Sequence, residues 1–215
     1  MTDYYETILS LCIGFGLAAA CGFRVFVPML ITSVAAKSGH LELTESFQWI
    51  ASDAALVAFS AATVLEILGY YIPWVDNALD GVTTPCSVIA GTVVMAGFIP
   101  EMDPWLKWSL SIISGGAAAG AVQSVTAFTR GVSTATTSGL ANPILSTGEA
   151  AASTGVSVAA VFIPFVAAVG LLGMIGFVGY RVAFPKRNQA TFRSNFQQLL
   201  RSGSERTVPD ETPVR

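Results

Sequence analysis

Six ionisable residues stand in or beside stretches that are otherwise apolar: Arg24, Glu66, Asp76, Asp80, Arg130 and Glu149. A charged side chain at the centre of a bilayer costs ~2.5–3.5 kcal/mol on insertion scales. Groups kept at that cost are the first candidates for chemistry. Glu66 offers a protonatable or ion-coordinating carboxylate, about nine residues or ~14 Å from the outer end of its stretch. Tyr70 follows one helical turn later on the same face. Arg24, near the middle of the first apolar stretch, is placed to pair with Glu66, either for coupling or simply to lock two helices. Asp76 and Asp80 are spaced i,i+4 and share a face if helical. With Arg130 and Glu149 they form an outer charged cluster, read as a cation vestibule or gate, or as a solvated rim.

The fourth apolar stretch turns polar from Gln123 onward, through Thr126, Arg130, Ser133, Thr134 and Thr137, with Asn142 beyond. Polar groups at membrane depth persist where protein or a wet cavity receives them. The expected solute path is therefore lined by these residues together with Arg24, Glu66 and Tyr70. Hydroxyls with Arg130 favour an anion or a neutral polar solute. Glu66, Asp76 and Asp80 favour a cation, and the sequence leaves both open.

Other chemistries find less support. Asp76-Asn77-Ala78-Leu79-Asp80-Gly81 superficially matches the metal motif of CDP-alcohol phosphotransferases, but the upstream Asp-Gly-x-x-Ala-Arg element is missing. His40 is the one histidine and makes neither a zinc site nor a catalytic dyad alone. Nucleophile-elbow, P-loop and dinucleotide patterns are absent from the sequence. Cys12, Cys21 and Cys86 have no metal-ligand spacing and read as small apolar packing residues. No metal or cofactor is expected. A net charge of −3 argues against nucleic acid as a partner.

The elements that must hold these residues follow from composition. Hydrophobic residues make up 53% of the 215 and charged ones 12%, against roughly 25% charged in soluble domains. From Ala151 to Tyr180 there is no Asp, Glu, Lys, Arg or His, well beyond the ~20 residues that cross a bilayer. Long apolar stretches lie at 8–36, 49–75, 82–100, 105–133 and 155–184. The expected fold is an all-α membrane protein of about five transmembrane helices, with 1–184 as the bundle and 185–215 as a tail. In the tail Phe192, Phe196, Leu199 and Leu200 predict a short amphipathic helix on the membrane surface, followed by a disordered end from Ser202.

The acidic start Met1-Thr-Asp-Tyr-Tyr-Glu lacks the basic region of a signal peptide. Seven basic residues from Arg181 to Arg215 put the C-terminus in the cytoplasm of an inner-membrane, multi-pass protein. Five crossings then put the N-terminus outside and Lys37 and Lys107 inside. Trp49, Trp105 and Trp108 mark inner helix ends; Tyr70, Tyr71 and Trp74 mark an outer one.

An offset of 100 residues aligns 16–39 with 116–139 and pairs identical residues at eight of 24 positions, including Gly16/Gly116, Val25/Val125 and Gly39/Gly139. The aligned segments are three crossings apart. Two inverted two-helix repeats around a linking helix would give that arithmetic, a design that puts solute sites at the repeat interface; the resemblance of any two small-residue-rich helices would give it too. Gly22 and Pro28 interrupt the first segment, and loss of hydrophobicity at Gln123 interrupts the fourth. Gly116-Ala-Ala-Ala-Gly120 and the row Gly170, Gly173, Gly176 and Gly179 supply close-packing faces, within one chain or between copies in a homodimer.

Three motifs in order carry a family resemblance: Gly22-Phe-Arg24-Val-Phe-Val-Pro28; Glu66 to Asp80 with Thr84-Pro85 and Ala90-Gly91; and Thr134 to Pro143 ahead of Glu149. From about Ile13 to Tyr180 the chain resembles domain-of-unknown-function family 4126. The resemblance implies a membrane protein and carries no assigned activity. Cys86 departs from it, at a place where a basic residue is expected after the proline.

The expected function is a small channel or secondary transporter for an ion or polar solute. A non-transporting membrane scaffold or assembly protein is the alternative. A metal-dependent enzyme acting on lipid headgroups through Asp76 and Asp80 is the third reading.

Overall fold

Helices follow the apolar stretches, and glycine, proline and buried charge decide where they break. The computed structural model describes residues 2–183, which are α-helical apart from short turns. The helices are α1 (Thr2–Ala20), α2 (Phe26–Lys37), α3 (Asp53–Gly69), α4 (Pro73–Ala96), α5 (Pro104–Ser111), α6 (Ala117–Thr137), α7 (Asn142–Phe162) and α8 (Pro164–Ala183). A 3-10 turn at Glu45–Ala51 precedes α3, and a π turn at Ile112–Gly116 joins α5 to α6. The tail's expected amphipathic helix and disordered end lie outside the described residues.

The first predicted crossing is a hairpin. The chain leaves α1 at Ala20 and re-enters helix at Phe26. Tyr5 lies 6.1 Å from Phe165 and His40 lies 6.2 Å from Phe162, ring centre to ring centre. Arg24, in the turn, reaches the opposite part of α7 at Ser146. Both legs therefore start and finish at the Phe162 end of α7, and their tip points to its Asn142 end. This corrects the sequence reading of 8–36 as one span. It also places the N-terminal residues and Lys37 at the same end, where a crossing would separate them. Gly22 permits the reversal: a Cβ there would meet Val122 Cβ at 2.6 Å, so only glycine brings the turn against α6. Pro28 falls in the first turn of α2, where its missing N–H costs nothing.

The fifth predicted crossing divides instead. Ile163, which leaves the helical conformation before Pro164 (φ −137°, ψ 58°), separates α7 from α8. Residues 142–154, read as an outer loop, belong to α7, with Pro143 in its first turn. Segments within α4, α5–α6, α7 and α8 are long and apolar enough to cross a membrane. The Glu45–Ala51 turn and α3, bent by 60°, make a fifth when taken together. The expected number of about five spans holds while two of its members change. The fourth predicted segment is continuous from Pro104 to Thr137, so its polar half is unbroken helix rather than an interruption.

Small residues set the tightest packing. A Cβ on Gly91 would lie 2.6 Å from Ala119 Cβ, and one on Gly116 would lie 2.6 Å from Thr92 Oγ1. The backbones of α4 and α6 thus touch, with Ala18 of α1 against the same place. Gly116 and Gly120 are used inside the chain, whereas Gly170 and Gly173 would seat a Cβ in open space. Of the offset pairs, Gly39 and Gly139 both take positive φ, 77° and 84°, at the ends of α2 and α6. The segments before them differ, one reversing at Cys21–Val25 and the other remaining helical.

At the Phe162 end, Lys107 Nζ lies 3.1 Å from Glu101 Oε1 and donates to Thr44 Oγ1 at 3.3 Å. The Lys107 ammonium holds the Glu101 carboxyl below the usual carboxylate range. Trp49, Trp105 and Trp108 are exposed and lie toward this end, as an interfacial belt would require. Residues from Gly176 form a second compact unit; in its described part Arg181 lies over the Phe177 ring.

Candidate functional site

Five helix ends converge at the Asn142 end. They are the close of α3, the opening of α4, the last turns of α6, the opening of α7 and the hairpin tip. Each brings a charged or polar residue into one buried network.

Arg130 is its centre and is 3% exposed. Its Nη1 donates to Asp76 Oδ1 at 2.6 Å and lies 3.4 Å from Asp80 Oδ1. Its Nε donates to Glu149 Oε1 at 3.0 Å while Nη2 donates to the other Glu149 oxygen, a bidentate pair. Asp76 and Asp80 sit one turn apart on α4, as their spacing predicts, and both face this guanidinium. Asn142 donates to Asp76 Oδ2 at 2.9 Å and to Thr134 Oγ1 at 3.2 Å, and accepts from Ser133 at 2.9 Å.

Arg24 is the second cation, 1% exposed. Its Nη2 donates to the Ser146 carbonyl at 3.0 Å and lies 3.5 Å from Glu149 Oε2. Both guanidiniums stand over the Tyr70 ring, whose centre is 3.7 Å from the central carbon of Arg24 and 4.1 Å from that of Arg130. A cation over an aromatic face gains ~0.5–2 kcal/mol, most where water is excluded. The Tyr70 hydroxyl shares a hydrogen bond with Thr83 at 3.1 Å.

Glu66 has a different partner from the one expected. Its two oxygens accept from the backbone N–H groups of Val25 and Phe26, at 2.8 and 3.0 Å. These open α2, where donors have no partner within the helix and the dipole favours negative charge. The Arg24–Glu66 pair gives way to a carboxylate that caps the hairpin tip, because two aligned N–H groups satisfy both of its oxygens.

Of the expected path residues, Arg24, Tyr70, Arg130, Ser133, Thr134 and Asn142 join the network, and the outer cluster is continuous with them. Gln123 reaches Thr84 across the α4–α6 contact at 3.5 Å. Thr126 and Thr137 donate to carbonyls of their own helix, at 2.9 and 2.7 Å. Ser146 and Thr83 were not foreseen. Ser146 lies one turn beyond Asn142, a spacing informative only once 142–149 is read as helix.

Beside the network is a cavity of about 130 Å³, lined by Tyr70, Tyr71, Asp76, Thr134, Ser138, Gly139, Leu140, Asn142 and Pro143. Asp76 is its one charged wall. Ser138 takes a left-handed conformation (φ 53°) just before Gly139, so the α6–α7 turn forms part of the cavity wall. An engineered apolar cavity of ~150 Å³ accepts benzene, so this space suits a solute of about six heavy atoms. Among the described residues, no group of three or more His, Cys, Asp or Glu is arranged to hold a metal ion.

A family model described as a domain of unknown function (DUF4126) matches residues 11–183, and the chain belongs to that family. Comparison with curated proteins and with solved structures finds no match.

Proposed function

We propose that this DUF4126 member is a small channel or secondary transporter whose solute binds in the cavity at the Asn142 end. The observation that carries the reading is the junction of that cavity with the buried network. Asp76 and Asn142 belong to both, and Tyr70, which lines the cavity, has Arg24 of the re-entrant hairpin tip over its ring. A hairpin that enters and returns while presenting charge is a device by which membrane proteins build solute sites. In the proposed mechanism a polar solute takes over hydrogen bonds from Asn142 and Asp76. Arg130 then leans on Glu149 and Asp80, and the Tyr70 ring shifts against the two arginines.

The seven basic residues from Arg181 onward support an inner-membrane placement with the tail in the cytoplasm and the N-terminus outside. Lys37 and Lys107 lie at the N-terminal end of the bundle, so with that end outside they count against the placement, and the charged cluster expected at the outer face stands at the opposite end from them. A scaffold role is the second reading, favoured by the open positions beside Gly170 and Gly173.

The test is a liposome flux screen over ions and polar solutes of up to about six heavy atoms, the size set by the cavity. The full chain is compared with empty vesicles and with Arg130→Ala. Uptake of one solute class that Arg130→Ala abolishes supports transport. No flux of any solute above empty vesicles turns the assignment to the scaffold.

A further inference from the structure

Serine and threonine hydroxyls in this bundle regularly donate to the carbonyl four residues back: Thr32 to Pro28 and Thr92 to Val88, both at 2.8 Å, and Ser111 to Lys107 at 2.7 Å. Ser33, Thr63 and Ser157 do not. All three are buried, Ser33 and Ser157 completely, and their oxygens have no hydrogen-bond partner in the protein. Nε and Nη1 of Arg24 are also without one. An unsatisfied buried polar group costs ~1–3 kcal/mol, and native structures meet such groups with ordered water when protein does not.

Their positions form a series. Thr63 is one turn before Glu66 on the same face of α3. Ser33 lies eight residues along α2 from Val25, ~12 Å. Ser157 lies eleven residues along α7 from Ser146, ~16 Å. On α7 it falls between Ser153, which donates to the Ala20 carbonyl at 3.1 Å, and Ala160, which abuts Gly16, so it faces the hairpin. From the tip toward the Phe162 end, the unpartnered groups therefore occur at successive depths along α2, one leg of the hairpin, and along α3 and α7, which pack against it.

We propose that a seam of internal water runs beside the re-entrant hairpin and, continued by Glu66 and the charged network at the tip, carries protons from the Phe162 end to the Asn142 end. Glu66 is the carboxylate at the inner end of this seam. It faces the α2 N–H groups directly, with Arg24 and Arg130 as its neighbouring cations and the Cys21 thiol as its other titratable neighbour; Tyr70 follows one turn later, its N–H donating to the Glu66 carbonyl. The network as a whole sets four carboxylates against two guanidiniums, so a proton arriving there meets net negative charge. The seam lies on the far side of the tip from the solute cavity and goes beyond the transport reading.

The experiment places the full chain in liposomes holding a pH-sensitive dye, with a potassium diffusion potential as the driving force. The chain as it stands is expected to conduct protons above empty vesicles. The triple variant Ser33→Ala, Thr63→Val, Ser157→Ala should lose about tenfold of that flux, one decade in rate. Thr129→Val, an exposed hydroxyl bonded to its own helix, should lose none. Solute flux in the same vesicles separates failure of the seam from failure of the cavity. Conduction at the level of empty vesicles, or an undiminished triple variant, overturns the proposal. Should the triple variant not fold, a density map of the unaltered chain decides. Water oxygens within hydrogen-bond reach of Ser33 and Ser157 support the seam, and hydroxyls turned to the Met29 and Ser153 carbonyls overturn it.

Discussion

The α4–α6 contact and the network at the Asn142 end are built on the same two helices with opposite materials. Around Gly91, Gly115 and Gly116 the backbones meet, leaving no room for a side chain or a water. Further along the pair, Asp76 and Asp80 of α4 face Arg130 of α6, and a cavity opens alongside. In the first region close contact itself supplies the attraction, since hydrocarbon gives apolar faces little reason to associate. In the second, every ion depends on a partner, because an uncompensated charge out of water is costly. The glycine seam therefore holds the helices together by contact alone, and the charged end changes partners independently of it.

This contrast orders the expected effects. Arg130→Ala strikes hardest: three carboxylates lose their shared cation, and breaking a buried pair costs ~3–5 kcal/mol. Chemical or thermal unfolding in detergent reads the loss, and a variant as stable as the parent would mean that water already solvates the network. Gly91→Val forces a side chain against Ala119 and should cost ~1–3 kcal/mol by overpacking. Solute flux per folded molecule should stay at the parent level, because the cavity is untouched; a fall in flux at unchanged stability would erase the division between the regions.

Glu66→Gln replaces an ionised cap by one neutral acceptor and an amide that cannot accept from the second N–H, worth ~1–2 kcal/mol. Hydrogen exchange at Val25 and Phe26 should rise more than at the glycine seam. The smallest effect belongs to Glu101, at the other end of the bundle. Its carboxyl is depressed by Lys107, so the pair's contribution is present above the ordinary glutamate value of ~4.3 and fades as pH falls through the lowered one. Melting curves of Glu101→Gln and the parent should converge in acid and separate slightly at neutral pH.

Much of the charged network was legible in the sequence, since ionisable residues in apolar stretches announce themselves by cost alone. Which of them touch was less so. Charge suggested Arg24 with Glu66, but the backbone donors of α2 appear only when the chain is known to restart a helix at Phe26. Hydropathy records that 8–36 is apolar and is blind to direction, so Gly22 and Pro28 read as an interruption of a crossing rather than a reversal. The Ser, Thr and Gly content of 142–154 hid the first half of α7, and with it the turn-by-turn alignment of Asn142, Ser146 and Glu149. The tight α4–α6 approach was partly visible in Gly116 and Gly120; its partner Gly91 is far along α4 from that helix's other glycine, Gly81, and carries no pattern.

The most direct test of a solute site at the charged end is to fill the cavity without touching the ions. Thr134→Trp places an indole in its wall, and Val132→Trp, at an exposed position on the same helix, serves as control. For whichever solute the vesicle screen identifies, Thr134→Trp should abolish flux at an unchanged melting temperature while Val132→Trp transports as the parent does. Equal flux through both variants would contradict the account, because a solute that passes a plugged cavity does not use it.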